Sequence, residues 1–486
     1  MSAPRRSSDR HDRFEHPLVD RYASDEMARL FSARERISTW RRLWIALAEA
    51  QAELEIGGVS PEQVDDLKAA AYEIDFDRAE ELERELRHDV MAHVHAFGEI
   101  VPSARPILHL GATSAFVVDN ADLLIMQQAM RIVERKALCV VKALAAFADE
   151  WAELPTLGWT HFQPAQPTTV GKRACSWIQD LLLDLDEIDF RFDRFRLRGL
   201  KGTTGTQASF LALADGDHEK VERLESRVVE KLGVEGAYAV TGQTSPRKVD
   251  AAWGATLSGI AISASKFGHD LRLLQHLGEV LEPFGKKQIG SSAMAYKRNP
   301  MRAERMCGLA RYAIQTAGNL QWTAATQWLE RSLDDSSNKR IAVPELFLAV
   351  DALLVLWHDV ASGLEVRDEV VRRNLEDELP TMATETLLME AVEAGGDRQA
   401  LHERIRVRAR EAAERVEAGE DSDLLDRLAE EDAFATLSEE TWRRARDPRT
   451  YVGRAPEQTR RFLERVVRPR LEAYRGDLEM TGEVTV

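Results

Sequence analysis

The sequence predicts an all-α protein built on a central bundle of long helices. Between Asn120 and Leu154 there is neither glycine nor proline, and Leu123, Met126, Met130, Val133, Ala137, Val140, Leu144, Phe147 and Trp151 recur in alternating steps of three and four. Such a stripe, held over about four heptads, describes a long helix packed on other helices; at 1.5 Å per residue it runs roughly 45–50 Å. Ile178, Leu181, Leu185, Ile188, Phe192 and Phe195 form a second stripe of the same kind. Further long helical stretches run from Arg247 to about Leu277, Met301 to Trp328 and Val343 to about Ala361, with few strand signals between them. A bundle is the economical way to bury so many one-sided helices.

Taken in order, the chain opens on a charged, polar stretch with no apolar stripe, read as a disordered arm over residues 1–20. Ser38 or Thr39 is placed to cap a helix whose apolar face is Trp40, Leu43, Trp44, Leu47 and Ala48. Gly57-Gly58 ends it, and Ser60-Pro61 opens the next. A third helical segment runs from Asp77 to about Phe97. Arg191, Arg194, Arg196 and Arg198 crowd the end of the second stripe, where the helix dipole is negative. After Gly363 the segments become shorter and more charged. The resulting division is an arm (1–20), an N-terminal helical domain (21–113), a central bundle with loops between its helices (114–364) and a C-terminal helical domain (365–486).

A chain of 486 residues with 44% hydrophobic and 30% charged residues has ample material for a buried core. Its net charge of −17 argues against nucleic acid or an anionic membrane as partner through a general basic surface. An anionic small molecule would need cations gathered locally. The three cysteines, Cys139, Cys175 and Cys307, are odd in number and far apart, which points to a reducing, cytoplasmic setting without disulfides. No apolar run approaches the ~20 residues that span a bilayer.

Chemistry gathers in the loops. Gly290 to Pro300 holds two hydroxyls, several cations and an Asn299-Pro300 pair, read as the N-cap and first residue of a helix. That reading puts hydroxyls and cations at the positive end of a helix dipole, a setting for an anion; the alternative is an ordinary polar loop. His161, in a proline-flanked loop beside Thr160 and Gln163, is a candidate proton donor or acceptor, against a solvated or packing histidine. His88 lies between Arg87 and Asp89, a possible anion site or simply a surface turn. His88, His93 and His95 sit at offsets that place them on different helix faces, so neither metal nor cofactor is expected. Gly202-Thr203-Thr204-Gly205 lacks the nucleotide-cradling patterns and reads as a turn. Arg331 and Arg340 flank Ser332 to Asn338. With Lys297, Arg298, Arg302 and Arg305 they can clamp phosphate or carboxylate, or form a salt-bridged surface.

The loop Gly290-Ser291-Ser292-Ala293-Met294-Ala295-Tyr296-Lys297-Arg298-Asn299-Pro300 resembles the signature Gly-Ser-Ser-x-Met-Pro-x-Lys-x-Asn-Pro of the fumarase/aspartase superfamily, apart from Ala295. Arg21 to Ser24, Arg87 to His93, Leu110 to Ser114, Thr160 to Gln166, Lys201 to Ser209, Thr241 to Thr244 and Leu333 to Ser336 are similar, in order, to blocks of its adenylosuccinate lyase branch. The resemblance implies a homotetramer whose sites combine loops from three subunits. It implies β-elimination of fumarate from adenylosuccinate and from the succinyl-carboxamide ribonucleotide of purine synthesis. His161 then corresponds to the general acid, Ser291 to the base and His88 to a second active-site histidine, with Lys297 stabilising charge. Arg21, Tyr22, Arg305, Arg331, Ser336 and Arg340 correspond to nucleotide- and phosphate-binding positions, and Thr113, Ser114 and Gln243 to succinyl contacts. Arg87, Asp89 and Asn299 lie in the same matching blocks. Ala295 in place of proline frees its own φ and Met294, so slower loop closure is expected. Two other readings stay open here: a sibling such as argininosuccinate lyase, and a helical scaffold that has lost catalysis.

Overall fold

The long stripes form the seam of a helical bundle in the computed structural model, which describes residues 16–484. Most of the expected arm lies outside the described residues. Its last part is a π-helical turn, Leu18–Tyr22, with Leu18 buried. Ser24 caps α1 (Asp25–Leu30), and Ser32 caps α2 (Ala33–Glu53) by accepting from the Glu35 amide at 3.2 Å. The second helix therefore starts earlier than Ser38, and Thr39 is buried within it. Ser60 and Gln63 form a reciprocal capping box on α3 (Pro61–Ala69). The expected segment from Asp77 to Phe97 is two helices, α4 (Phe76–Leu86) and α5 (Asp89–Ile100). Arg87 turns left-handed at φ 54°, and His88 caps the second helix.

The bundle is built from α6 (Ser114–Glu150), α7 (Val170–Asp193), α10 (Arg247–His276), α11 (Met301–Thr326) and α12 (Asp334–Ser362), while α8 (Ala208–Leu213) and α9 (His218–Lys231) pack on one another and α9 on α2. α10 packs along α11, α11 against α12, and α6 against both α7 and α12. With 37 residues, α6 is about 55 Å long. From Leu123 to Phe147 its whole stripe is buried, as are Ile178, Leu181, Leu185 and Ile188 of the second. Gly171 is required where α7 leaves α6, because a Cβ there would sit 2.2 Å from the Ala148 carbonyl oxygen.

α12 differs from expectation in two ways. It begins at Asp334 and runs through Pro344, so Ser336 and Arg340 ride on a helix rather than in a loop. It is also long and apolar enough to cross a membrane, contrary to the sequence reading; 78% of that stretch is buried inside this fold, where it is the central core helix.

Among the described residues three two-stranded antiparallel ladders finish the loops: β1 (Pro155–Thr156) with β4 (Thr168–Thr169), β2 (Trp159–Thr160) with β3 (Gln163–Pro164), and β5 (Val280–Leu281) with β6 (Glu365–Val366). Beyond them, α13 (Asp368–Glu393), α14 (Arg398–Glu417), α15 (Leu424–Ala429) and α16 (Glu439–Ala445) enclose a second core of Leu387, Leu401, Leu428 and Phe434. α17 (Ala455–Phe462), α18 (Arg468–Ala473) and the tail then return to the bundle, where Val467 is buried and Leu478 and Met480 pack. The described part of this region, residues 365–484, is thus shared between two cores.

The Lys136–Asp351 ion pair lies wholly inside the bundle. Lys136 Nζ donates to Asp351 Oδ1 at 2.5 Å and to Ser24 Oγ at 2.9 Å, while the Ser24 amide donates to Asp351 Oδ2 at 2.7 Å. Both charged side chains are fully buried. Removing one partner leaves the other charge stranded in low dielectric. Lys136→Met should therefore lower the unfolding free energy by about 3–5 kcal/mol, and adding Asp351→Leu should recover part of that loss. Urea unfolding followed by circular dichroism checks both.

Candidate active site

Asp89 at the start of α5, Arg331 before α12, and Ser336 and Arg340 on its first turns converge on one cavity of about 130 Å³, walled inside by Phe31, Trp40, Val118 and Met126. Arg340 Nη2 donates to Asp89 Oδ2 at 3.2 Å, and Arg331 Nη1 donates to both oxygens of Asp335 at 2.9 Å. Behind them lies a buried charge network. Arg247 donates from Nε to Asp335 Oδ2 at 2.6 Å and from Nη2 to Asp119 Oδ1 at 3.1 Å, and Lys339 pairs with Asp250 at 3.2 Å. Burial opposes the ionised form of Asp119, but Arg247 and Lys339 outweigh it and hold its carboxyl well below the usual carboxylate range.

The network also fixes the neighbouring loop. Asp119 Oδ2 accepts the Ser245 amide at 2.6 Å, and the Gln243 amide donates to the Glu330 carbonyl at 2.9 Å. Gly242 is needed there, since a Cβ would lie 2.7 Å from the Glu330 carbonyl oxygen. The buried Arg198 holds the Gln243 carbonyl at 2.6 Å and the Gly202 carbonyl at 2.9 Å. The Gly202 turn is thereby tied to Gln243, whose side chain donates to the Thr203 carbonyl at 3.0 Å.

His88 belongs to the same neighbourhood. Its Nδ1 accepts the Met91 amide at 3.3 Å, so the neutral ring carries its proton on Nε2, which donates to Ser114 Oγ at 3.3 Å. Ser114 is the first residue of α6, whose N-terminus has no side-chain cap; Thr113 Oγ1 is buried there without a hydrogen-bond partner. An uncapped helix start beside an unused hydroxyl is a place for a carboxylate.

The serine loop behaves differently from its sequence reading. Asn299 does not cap α11: its Nδ2 donates instead to the Gly290 carbonyl at 2.7 Å, closing the neck of the loop, and the helix starts at Met301. The positive end of α11 is already filled. Buried Glu282 accepts the Arg302 amide at 3.1 Å and the Ala303 amide at 2.9 Å. Ser291 Oγ accepts the amides of Ala293 and Met294 at 3.3 and 3.1 Å, and Lys297 is exposed. Arg305, further along α11, lies over the Tyr22 ring at 5.9 Å, close to Arg21. His161 and Phe162 occupy the tip of the β2–β3 hairpin with φ of 53° and 56°. Both positive values suit the two-residue turn that matches strand twist. Phe162 stacks on Trp159 at 5.2 Å between centroids.

Within one chain, then, the structure brings together Asp89, Arg331, Ser336 and Arg340, with Arg87, His88, Thr113, Ser114 and Gln243 around them. Among the described residues no hydrogen bond or ion pair joins His161, Ser291 or Lys297 to that cluster.

Comparison with known proteins gives the chemistry its context. Residues 21–314 match the family described as lyase, and residues 380–462 match the adenylosuccinate lyase C-terminus. The chain is 49% identical to the adenylosuccinate lyase of Saccharomyces cerevisiae over 467 residues, 96% of this chain and 97% of that one. The chain belongs to the adenylosuccinate lyase family. The enzyme of Schizosaccharomyces pombe is 46% identical over 95% of this chain and 96% of its own. The crystal structure of 3-carboxy-cis,cis-muconate lactonizing enzyme from Pseudomonas putida superposes with a TM-score of 0.82 at 25% identity, covering 94% of this chain and 100% of that one. The chain is thus a lyase with the all-α fold of the superfamily, and the argininosuccinate lyase and scaffold readings give way.

Sequence reasoning missed Asp119, Arg247, Asp335 and Glu282, which act through tertiary contacts that no local spacing records. It also missed His109. Trp44 Nε1 donates to His109 Nδ1 at 2.9 Å, and His109 holds φ 63° just before the Thr113 turn. Burial, assisted by His88, pushes its pKa down to about 4. Because the folded value lies below the ~6.5 of an unfolded histidine, the unfolded state binds more protons between them, and stability falls as pH drops from 6.5 towards 4. The urea midpoint should be lower at pH 5 than at pH 7. His109→Asn keeps an acceptor for Trp44 and tolerates positive φ, so it should shrink that drop. His93, also pushed down to about 4 by burial and by Arg41, leaves part of it in place.

Proposed function

We propose that this lyase eliminates fumarate from adenylosuccinate, giving AMP, and from the succinyl-carboxamide ribonucleotide of purine synthesis. The observation that carries the site assignment is the convergence of Asp89, Arg331, Ser336 and Arg340 on one cavity backed by Arg247. Arg331, Ser336 and Arg340, with Arg21, Tyr22 and Arg305, hold the nucleotide and its phosphate. Thr113, Ser114 and Gln243 take the succinyl carboxylates at the open N-terminus of α6. Arg87 and Asp89 flank His88, and Asn299 secures the loop neck.

Ser291 removes the proton from the carbon beside a succinyl carboxylate, and the resulting aci-carboxylate is stabilised by Lys297 and N–H dipoles. The carbon–nitrogen bond then breaks. Its electron pair stays on nitrogen, which takes a proton from His161, with His88 assisting. A serine is a weak base on its own, and the two amides donated to Ser291 Oγ favour its alkoxide.

The working enzyme is a cytoplasmic homotetramer in this reading, with parts at 21–113, 114–364 and 365–486. Leu183 on α7, Ile262 on α10 and Trp322 on α11 are exposed apolar side chains on bundle helices, as an assembly through the bundle requires. That no hydrogen bond or ion pair among the described residues joins His161 or Ser291 to the Arg340 cluster also fits sites completed by neighbours.

His161→Ala and Ser291→Ala should each lower kcat about 10²–10⁴-fold in a fumarate-release assay with the assembly intact. Refolding the two inactive variants together should restore activity, because some sites then draw both groups from intact copies; no recovery would argue for a site within one subunit. Ala295→Pro should stiffen the serine loop, raising turnover and protease resistance together. If neither changes, loop closure is not limited by Ala295.

A further inference from the structure

We infer that the C-terminal tail, residues 478–484, is a strap that positions the Arg21-Tyr22 turn for the substrate's phosphate. The inference rests on the assignment of Arg21 and Tyr22 to phosphate binding. The turn is closed by the Ala23 amide donating to the Leu18 carbonyl at 2.7 Å, and it continues directly into Ser24 and α1. α6 anchors this segment from inside, through Lys136 and Ser24. The tail anchors it from outside. Thr481 Oγ1 donates to Glu26 Oε2 at 2.6 Å, and Arg135 Nη2 reaches both Glu26 Oε2 at 2.5 Å and Thr481 Oγ1 at 3.1 Å.

Gly482 makes the closest approach. Its φ is +98°, and a Cβ there would lie 3.1 Å from both Ser24 Cβ and Val355 Cγ2, so a side chain meets backbone strain and crowding at once. Leu478, Met480 and Val484 pack against the bundle on either side of this contact. Val19, Asp20 and Arg21 line one wall of a surface cleft whose other wall is Thr481, Gly482 and Glu483. The phosphate-binding turn is therefore held between two adjacent α6 side chains and the far end of the chain.

A role through Arg21 predicts loss of phosphate recognition with the chemistry intact. Deleting residues 478–486, and separately Gly482→Val and Thr481→Val, should raise KM for adenylosuccinate while kcat stays within about twofold. Inhibition by AMP should weaken about tenfold in the deletion, while inhibition by adenosine, which lacks the phosphate, should not change. Adding Arg21→Ala to the deletion should give no further loss beyond Arg21→Ala alone. Melting temperature and assembly state are measured alongside. A deletion that lowers melting temperature but leaves the AMP-to-adenosine ratio unchanged overturns the inference. If the deletion fails to assemble, the two single substitutions decide on the same ratio. If Arg21→Ala itself leaves the ratio unchanged, the phosphate assignment of Arg21 fails, and the inference falls with it.

Discussion

Arg247 is the constraint on which the site depends. It is buried at the start of α10, and its guanidinium reaches α6 through Asp119 and α12 through Asp335. A planar fork of fixed donors suits this task better than an ammonium, because several carboxylates can be met at once in set directions. Each partner then fixes something else: Asp335 holds Arg331, and Asp119 holds the Ser245 amide beside Gln243. Three helices and one loop, far apart in sequence, are thereby brought to one register at the cavity. Such a network is costly to desolvate and gives geometric definition more than stability.

The starts of α6 and α11 are used in opposite ways. α11 has its N–H groups occupied by Glu282, a carboxylate from the same chain, which fastens the root of the serine loop to the bundle. α6 is left open beside Thr113 and Ser114. The same dipole is therefore neutralised by an internal carboxylate in one place and left unneutralised by any side-chain cap in the other. Position relative to an internal glutamate decides which.

Much of this was legible in the sequence. The long stripes of α6 and α7 follow from periodicity alone, because a strict three-and-four repeat without glycine or proline admits little else. The loop blocks led to the right family through their resemblance to its signature, while the clustering of hydroxyls, cations and histidines alone left an ordinary polar loop open. Boundaries were less legible. The break at Arg87 depends on one left-handed residue, and the early start of α12 depends on Pro344 being tolerated inside a helix. Asn299-Pro300 fits the local pattern of a cap; the partner that holds the Asn299 side chain instead, the Gly290 carbonyl, is set by loop closure and not by sequence neighbours. Glu282, Asp119 and Arg247 had no signal at all, being ordinary charged residues until the fold pairs them.

The neck of the serine loop has a consequence of its own. Gly290 and Asn299 are joined, and a side chain at Gly290 would collide with the Lys297 carbonyl oxygen at 2.1 Å. Between them Ser292 to Lys297 are exposed, while Arg298 is tied to Gln275 and Glu365. The segment is therefore a cassette: substitutions at its exposed inner residues meet solvent and leave the packing of the bundle undisturbed.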